Sequence, residues 1–232
     1  MPPKRPSQLI DNVVPWGRTF DEYRRMFALS REDFALRLLG IGDGPASFNA
    51  ELTAMGGRVV SVDPVYAFGG SQIGARFDAV SDDILEMVRR DRDRFVWDDI
   101  RTPEEMVDRR RTALERFLVD YEGGRCRGRY VAASLPALPF SGGAFDLAVC
   151  SHLLFLYSHV FDAEAHVAAL RELLRVAREV RVFPLIDMEG APSGHAGAVR
   201  DALTAEGFRV SIECVPYEFQ RGANQMMRIA AR

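Results

Sequence analysis

The sequence predicts an α/β fold: a doubly wound, mostly parallel sheet with an antiparallel C-terminal strand and a helical insertion at about residues 71–128. Three observations predict it. Short apolar runs alternate with amphipathic stretches through most of the chain, a pattern that places helices on both faces of a parallel sheet. A strand, a glycine-rich turn, a helix and a second strand follow one another between Phe34 and Asp63, the length of one βαβ unit. The last two apolar runs, FRVSIECVPYEF and NQMMRIAAR, are separated only by a turn around Arg221–Gly222, so one of them runs antiparallel.

Taken in order, residues 1–17 are Pro-rich and read as irregular. Thr19 then opens TFDEYRRMFAL, with Glu22 three residues on, the pattern of a capping box ahead of a helix. FALRLLGIG is an apolar run that stops at glycines, a buried strand ending near Ile41. ASFNAELTAMGG is a helix closed by Gly56–Gly57, and RVVSVDP a short strand ending in Asp63. The insertion is rich in Arg, Asp and Glu. It shows helical periodicity in DDILEMVRRDRDRFVWDDI and in PEEMVDRRRTALERFLVDY, where Thr102–Pro103 starts the second helix and Gly123–Gly124 closes it. The β/α alternation resumes with strand RYVAAS, loop LPALPFSGGA and the apolar strand FDLAVCSH. It continues with helix DAEAHVAALRELLRVA, strand EVRVFPLI and a helix ending at Gly207.

The whole chain, 1–232, reads as a single domain that carries this insertion. With 47% hydrophobic and 27% charged residues it is ordinary globular material. A net charge of −3 argues against a nucleic-acid-binding protein. Cys126, Cys150 and Cys214 are widely spaced and odd in number, and no histidine pair has metal-ligand spacing. No disulfide framework and no metal site are therefore expected, and the compartment reads as reducing and cytoplasmic. No apolar stretch is long enough to span a bilayer.

The chemistry concentrates in LLGIGDGPASF. Gly42 and Gly44 allow backbone to approach a ligand closely, and the following helix directs its positive end at the turn. Some twenty residues later Asp63 ends the next strand, where a carboxylate accepts hydrogen bonds from the hydroxyls of a ribose. Pro45 stands where a dinucleotide fingerprint would carry its third glycine, so a cofactor with ribose but no pyrophosphate fits better than a nicotinamide dinucleotide.

GIGDGPASF, followed by VVSVDP and then ALPFSGGAFDLAVCSHLLFLY, resembles the Rossmann-like class I S-adenosylmethionine-dependent methyltransferases over most of residues 37–187. The resemblance implies S-adenosyl-L-methionine as cofactor and methyl transfer to a small-molecule acceptor. It also implies the cofactor contacts. Gly42, Asp43 and Gly44 would line the methionine side, and Asp63 would hold the ribose. Pro64, Val65, Ser134 and Leu135 would surround the adenine, while Cys150, Ser151 and His152 would face the reacting methyl. Gly40 stands in the same turn, where the family often has an acid, and Ser134 stands where it often has an aspartate. These two departures keep open a second reading, a cofactor-binding or interaction protein on the same fold with weak or no catalysis.

Among the remaining residues, His152 is the candidate base, because it follows an apolar strand at the ligand end of the sheet. Arg18 is a candidate partner for the methionine carboxylate, with Tyr23 and Phe27 covering the site. Tyr157 and His159, in the next loop, are candidate acceptor contacts. His166 reads as structural. The Arg109–Arg111 run, flanked by Glu104, Glu105, Asp108 and Glu115, reads as ordinary helix pairing. The insertion as a whole is a candidate acceptor wall or homodimer contact.

Overall fold

The run Leu38–Ile41 has no polar face, so the strand it forms needs cover on both sides. The structure, a computed structural model that describes residues 14–231, supplies it. Strand β1 (Arg37–Ile41) pairs in parallel with β2 (Arg58–Val62) on one side and with β4 (Phe145–Ser151) on the other. Beyond them lie β3 (Tyr130–Val131), β5 (Ala177–Phe183), β6 (Arg209–Cys214) and β7 (Gln225–Ala230). The sheet has seven strands in the order β3-β2-β1-β4-β5-β7-β6. The antiparallel strand is β7, which is wedged between β5 and β6 and runs against both. Most of the Pro-rich opening, expected to be irregular, lies outside the described residues.

Successive residues of the central strands face opposite layers. Leu38, Leu147 and Val149 pack against Tyr23, Met26 and Phe27 of helix α1 (Phe20–Met26) and Phe48 and Leu52 of α2 (Phe48–Ala54). Leu39, Ile41, Ala148 and Cys150 pack on the other side against α5 (Ala163–Val176) and α6 (Ala196–Ala205). The expected cap at Thr19 forms: its side chain accepts from the Glu22 amide, and the Glu22 carboxylate accepts from the Thr19 amide at 2.9 Å. Pairing of Ile41 with both Val62 and Cys150 brings the carboxyl ends of β1, β2 and β4 to one level, where the chain opens into loops.

Between β2 and β3 stand two long helices, α3 (Gly70–Arg90) and α4 (Pro103–Cys126). Their apolar stripes close a third cluster with Val65, Tyr66 and Tyr130. Two sequence expectations differ here. The first helix starts twelve residues earlier than its charged periodicity, Asp82 onward, and stops at Arg90. Residues 95–97 leave it because Phe95 and Trp97 pack on Phe219, with ring centroids 5.0 and 5.5 Å away, and the Val96 amide donates to the Phe219 carbonyl. The second helix runs through Gly123–Gly124 instead of ending there. A side chain at Gly124 would overlap the Tyr130 ring, so that glycine serves close packing and not termination. Strand β3 is also shorter than RYVAAS, since Ala133–Pro136 turns out of the sheet and Pro136 has no amide to extend a ladder.

Candidate functional site

The turn after β1 is held from every side. Gly42 and Gly44 have φ of +70° and +50°, a region that side chains disfavour. The Gly42 amide donates to the Val62 carbonyl at 3.0 Å. The Gly44 amide donates to Asp63 Oδ2 at 2.9 Å, and the Tyr66 hydroxyl donates to the Gly44 carbonyl at 2.7 Å. Between the glycines, Asp43 turns inward and is 4% exposed. Its Oδ1 accepts from the Tyr23 hydroxyl at 2.8 Å and its Oδ2 from the Ser61 hydroxyl at 2.5 Å. Burial pushes the Asp43 carboxyl up to about 7 against these two bonds, with the nearby Asp63 charge adding to the rise.

A cavity of about 330 Å³ opens beside this turn. Of the residues singled out as cofactor contacts, Gly42, Asp63, Pro64, Ser134 and Leu135 line it, whereas Gly44 does not. Asp63 Oδ1 also accepts from the Val65 amide at 2.9 Å. Among the described residues each Asp63 oxygen thus has one backbone donor and retains a further lone pair. Burial raises the Asp63 pKa while these two amides oppose the rise. The rest of the lining is apolar: Leu153, Leu154, Phe161 and the α5 residues Ala165, Ala168 and Ala169 among it. Sequence reasoning missed that alanine face. Its signal was three small residues at i, i+3 and i+4 near a helix start.

Other expected cofactor contacts do not reach the cavity through their side chains. The Asp43 carboxylate is occupied by Tyr23 and Ser61. Gly40 is a glycine for a local reason: a side chain there would overlap the Asp43 carboxylate. Val65 packs into the cluster beneath α3 and α4. Cys150 is fully buried, and burial pushes its thiol up to about 12, so it is a packing residue in its resting state. The Ser151 hydroxyl lies 3.0 Å from His152 Nδ1.

A second polar group lies toward α1. The His152 ring meets Phe183 edge-on, 5.5 Å between centroids, and His152 has φ of +49°. Burial holds its pKa well below the usual value, and the charges of Arg18 and Arg110 push it further down. The Arg18 guanidinium donates to the Trp16 carbonyl, its Nε has no partner, and among the described residues no carboxylate lies within ion-pair distance of it. Burial lowers the Arg18 pKa, with Arg110 adding to the effect. Tyr157 and His159 are exposed and adjacent, 6.0 Å between ring centroids, outside the cavity lining. His166 is buried, stacked on Phe155, with Nδ1 2.6 Å from the Asp162 carbonyl, in keeping with a structural residue.

The Arg109–Arg111 run departs from the helix pairing expected of it. Arg109 does pair with Glu105 one turn away, but also with Asp99, and Arg111 reaches Asp78 on α3. Arg110 is buried in a bidentate pair with Glu22 of α1, at 2.7 and 2.6 Å. The reason is register: Arg110 falls on the inward stripe of Met106, Ala113, Leu114 and Phe117. Among the described residues no group of three or more His, Cys, Asp or Glu side chains is placed to hold a metal ion, and no helix is long and apolar enough to cross a membrane.

Comparison with known proteins agrees with this architecture. No protein-family model matches the chain. The uncharacterized protein MJ0045 of Methanocaldococcus jannaschii is 28% identical over 221 residues, covering 95% of this chain and 97% of its own. Among solved structures, the N-methyltransferase NodS from Bradyrhizobium japonicum WM9 in complex with S-adenosyl-L-homocysteine superposes with a TM-score of 0.50 at 15% identity. That match covers 97% of this chain and 95% of the other. Magnesium protoporphyrin IX methyltransferase from Synechocystis PCC 6803 with bound S-adenosylmethionine matches more loosely, with a TM-score of 0.44, 15% identity and coverage of 97% and 79%. The seven-stranded sheet, its strand order and the wedged β7 are thus those of the Rossmann-like fold of S-adenosylmethionine-dependent methyltransferases.

Proposed function

We propose that the protein binds S-adenosyl-L-methionine beside the Gly42–Gly44 turn and transfers its methyl group to a small-molecule acceptor. The observation that carries this reading is the make-up of the cavity: an otherwise apolar slot with one carboxylate, Asp63, standing at the end of β2 next to a two-glycine turn. Such a slot suits a flat base attached to a ribose, and its volume falls in the ordinary range for small-ligand sites. Asp63 accepts from the ribose hydroxyls through its free lone pairs. Pro64, Ser134 and Leu135 enclose the base, with the Ser134 hydroxyl available to its amino group.

On the methionine side, Gly42 and Gly44 offer close backbone approach, and the Arg18 guanidinium, which has no carboxylate partner among the described residues, takes the cofactor carboxylate. Gly40 and Asp43 serve the site by shaping this turn. Val65, Cys150 and Ser151 serve it as the wall behind the cavity and, for Ser151, as the partner of His152.

The cofactor supplies a methyl group already activated on a sulfonium, so the protein's work is alignment, exclusion of water and proton handling. His152 is the proton acceptor. With Nδ1 engaged by Ser151 and Nε2 without a partner among the described residues, Nε2 takes the proton of the acceptor, and the depressed pKa keeps the ring neutral until then. A base so weakened takes its proton as the acceptor atom gives electron density to the methyl, not before. Tyr157 and His159 contact the acceptor from the adjoining loop.

The test is transfer of a labelled methyl group from S-adenosylmethionine to a panel of hydroxyl, amine and carbon acceptors. Label in one acceptor, with stoichiometric S-adenosylhomocysteine, supports the reading. Bound cofactor with no transfer to any class of acceptor overturns the methyl-transfer part and leaves the binding part standing.

A further inference from the structure

Of the ion pairs among the described residues, Arg110–Glu22 alone has both side chains exposed by no more than 1%. The pair gathers an unusual set of donors. Glu22 Oε1 receives Arg110 Nη2 at 2.6 Å and the Tyr217 hydroxyl at 3.1 Å. Glu22 Oε2 receives Arg110 Nη1 at 2.7 Å, the Thr19 amide at 2.9 Å and the Thr19 hydroxyl at 3.0 Å. Arg110 also donates to the Gly17 carbonyl at 3.3 Å. One carboxylate therefore ties the start of α1 to the middle of α4 and to the β6–β7 connection.

The segment held in this way is the one that lies on the glycine turn. A side chain at Gly17 would overlap the Pro45 carbonyl, so the two backbones are in close contact there. The Ser47 amide donates to the Arg18 carbonyl at 3.1 Å. Tyr23, next in sequence to Glu22, donates to Asp43 within the turn. A bidentate guanidinium–carboxylate pair adds a directional constraint to this packing, because it is made in one geometry only. The pair also settles the charge around Arg18. Burial works against the ionised Glu22, but the Arg110 charge and hydrogen bonds, with Arg18 behind them, hold its carboxyl far below the usual range. Without Glu22, the repulsion between the Arg18 and Arg110 charges would lose the carboxylate that offsets it.

We infer that Arg110 and Glu22 are positioning residues: from outside the cavity they fix the Gly17–Tyr23 segment on the Gly42–Ser47 turn, and so hold Arg18 and the turn in binding geometry. What that geometry binds rests on the proposed function; that the pair orders it does not. Helix α4 thereby becomes part of the site's scaffold although it contributes no lining residue.

The test separates order from binding. Removing one partner alone strands a buried charge, so Arg110→Met is expected to lower the melting temperature sharply. The decisive variant replaces both, Glu22→Leu with Arg110→Met, which leaves neither charge of the pair stranded and is expected to unfold cooperatively. Backbone hydrogen exchange is then read on the ligand-free proteins. Exchange at residues 17–23 and 42–47 is expected to accelerate at least tenfold in the double variant while β4 and β5 remain as protected as in the parent. S-adenosylhomocysteine affinity, read by calorimetry, is expected to fall at least tenfold with it. Parent-like protection of both segments in the double variant overturns the inference. If the parent itself fails to bind S-adenosylhomocysteine, the proposed function falls and the exchange result still decides this one. Should the double variant unfold without cooperativity, Arg110→Lys, which keeps the charge and loses the bidentate geometry, supplies the same exchange comparison.

Discussion

The carboxylate of Asp43 fills the space that a side chain at Gly40 would need. The two positions are three residues apart, at the end of β1 and inside the following turn, and only one of them can carry bulk on that side of the strand. Asp43 takes the place, reaching back to Tyr23 and Ser61 and pinning the turn to the layer that contains α1.

Gly40→Ala is therefore expected to destabilise the fold by about 1–3 kcal/mol through overpacking. The loss should be smaller in an Asp43→Ala background, where the obstruction is gone. Urea unfolding of the two single variants and the double variant measures the coupling; strictly additive losses would contradict the shared space.

Asp43 also makes stability depend on pH. The folded protein keeps the proton up to about 7, whereas the unfolded chain releases it near ~3.9. Between those values the native state binds more protons, so this residue's contribution is fully present below the lower value and is lost as pH rises through 7. The slope is at most about 1.4 kcal/mol per pH unit. The side-chain amide introduced by Asp43→Asn does not titrate. Unfolding free energies of parent and variant, compared from pH 4 to pH 8, should show the parent losing ground as pH rises; a constant difference would contradict the burial argument.

If Arg18 meets the methionine carboxylate, Arg18→Ala weakens S-adenosylhomocysteine binding about tenfold or more, the value of a lost charge-assisted hydrogen bond. Adenosine, which lacks that carboxylate, should bind parent and variant alike. Equal weakening of both ligands would place Arg18 in general packing instead.

His152→Asn keeps a residue type tolerant of the positive φ while removing the ring. Turnover on an identified acceptor should fall by about 100-fold or more, with cofactor affinity little changed. Because the ring is already neutral, the parent's rate profile should show no limb near ~6.5, the ordinary histidine value. Unchanged turnover in the variant removes His152 from proton transfer.

Ala165→Phe tests the cavity sterically. The residue faces the slot from α5 and is not fully buried, so the fold should tolerate the ring while cofactor affinity drops at least tenfold, or about 1.4 kcal/mol. Parent-like affinity would mean that the ligand does not enter this slot.

Much of this was legible in the sequence wherever the determinants are local. The capping box at Thr19 and Glu22, the glycine turn after an apolar run and the acid at the end of β2 each depend on residues a few positions apart, and each forms as read. What was hidden depends on register between distant segments. Arg110 stands apart from Arg109 and Arg111 only by falling on the stripe of Met106, Ala113, Leu114 and Phe117, and the partner that this stripe carries it to is 88 residues away. Asp43 reads as a turn residue facing a ligand, yet Tyr23 and Ser61 draw it inward. The alanines of α5 carry no chemistry of their own and matter only because they leave room. The end of α3 at Arg90 is set by Phe219, far along the chain, which draws Phe95 and Trp97 out of helical register.

The most direct test of the central claim is calorimetric titration of the purified protein with S-adenosylmethionine and S-adenosylhomocysteine, beside Asp63→Ala and with NAD as control. The account predicts saturable binding of both ligands to the parent, loss of that binding in Asp63→Ala and none for NAD. Absence of binding to the parent, or undiminished binding in Asp63→Ala, would contradict it.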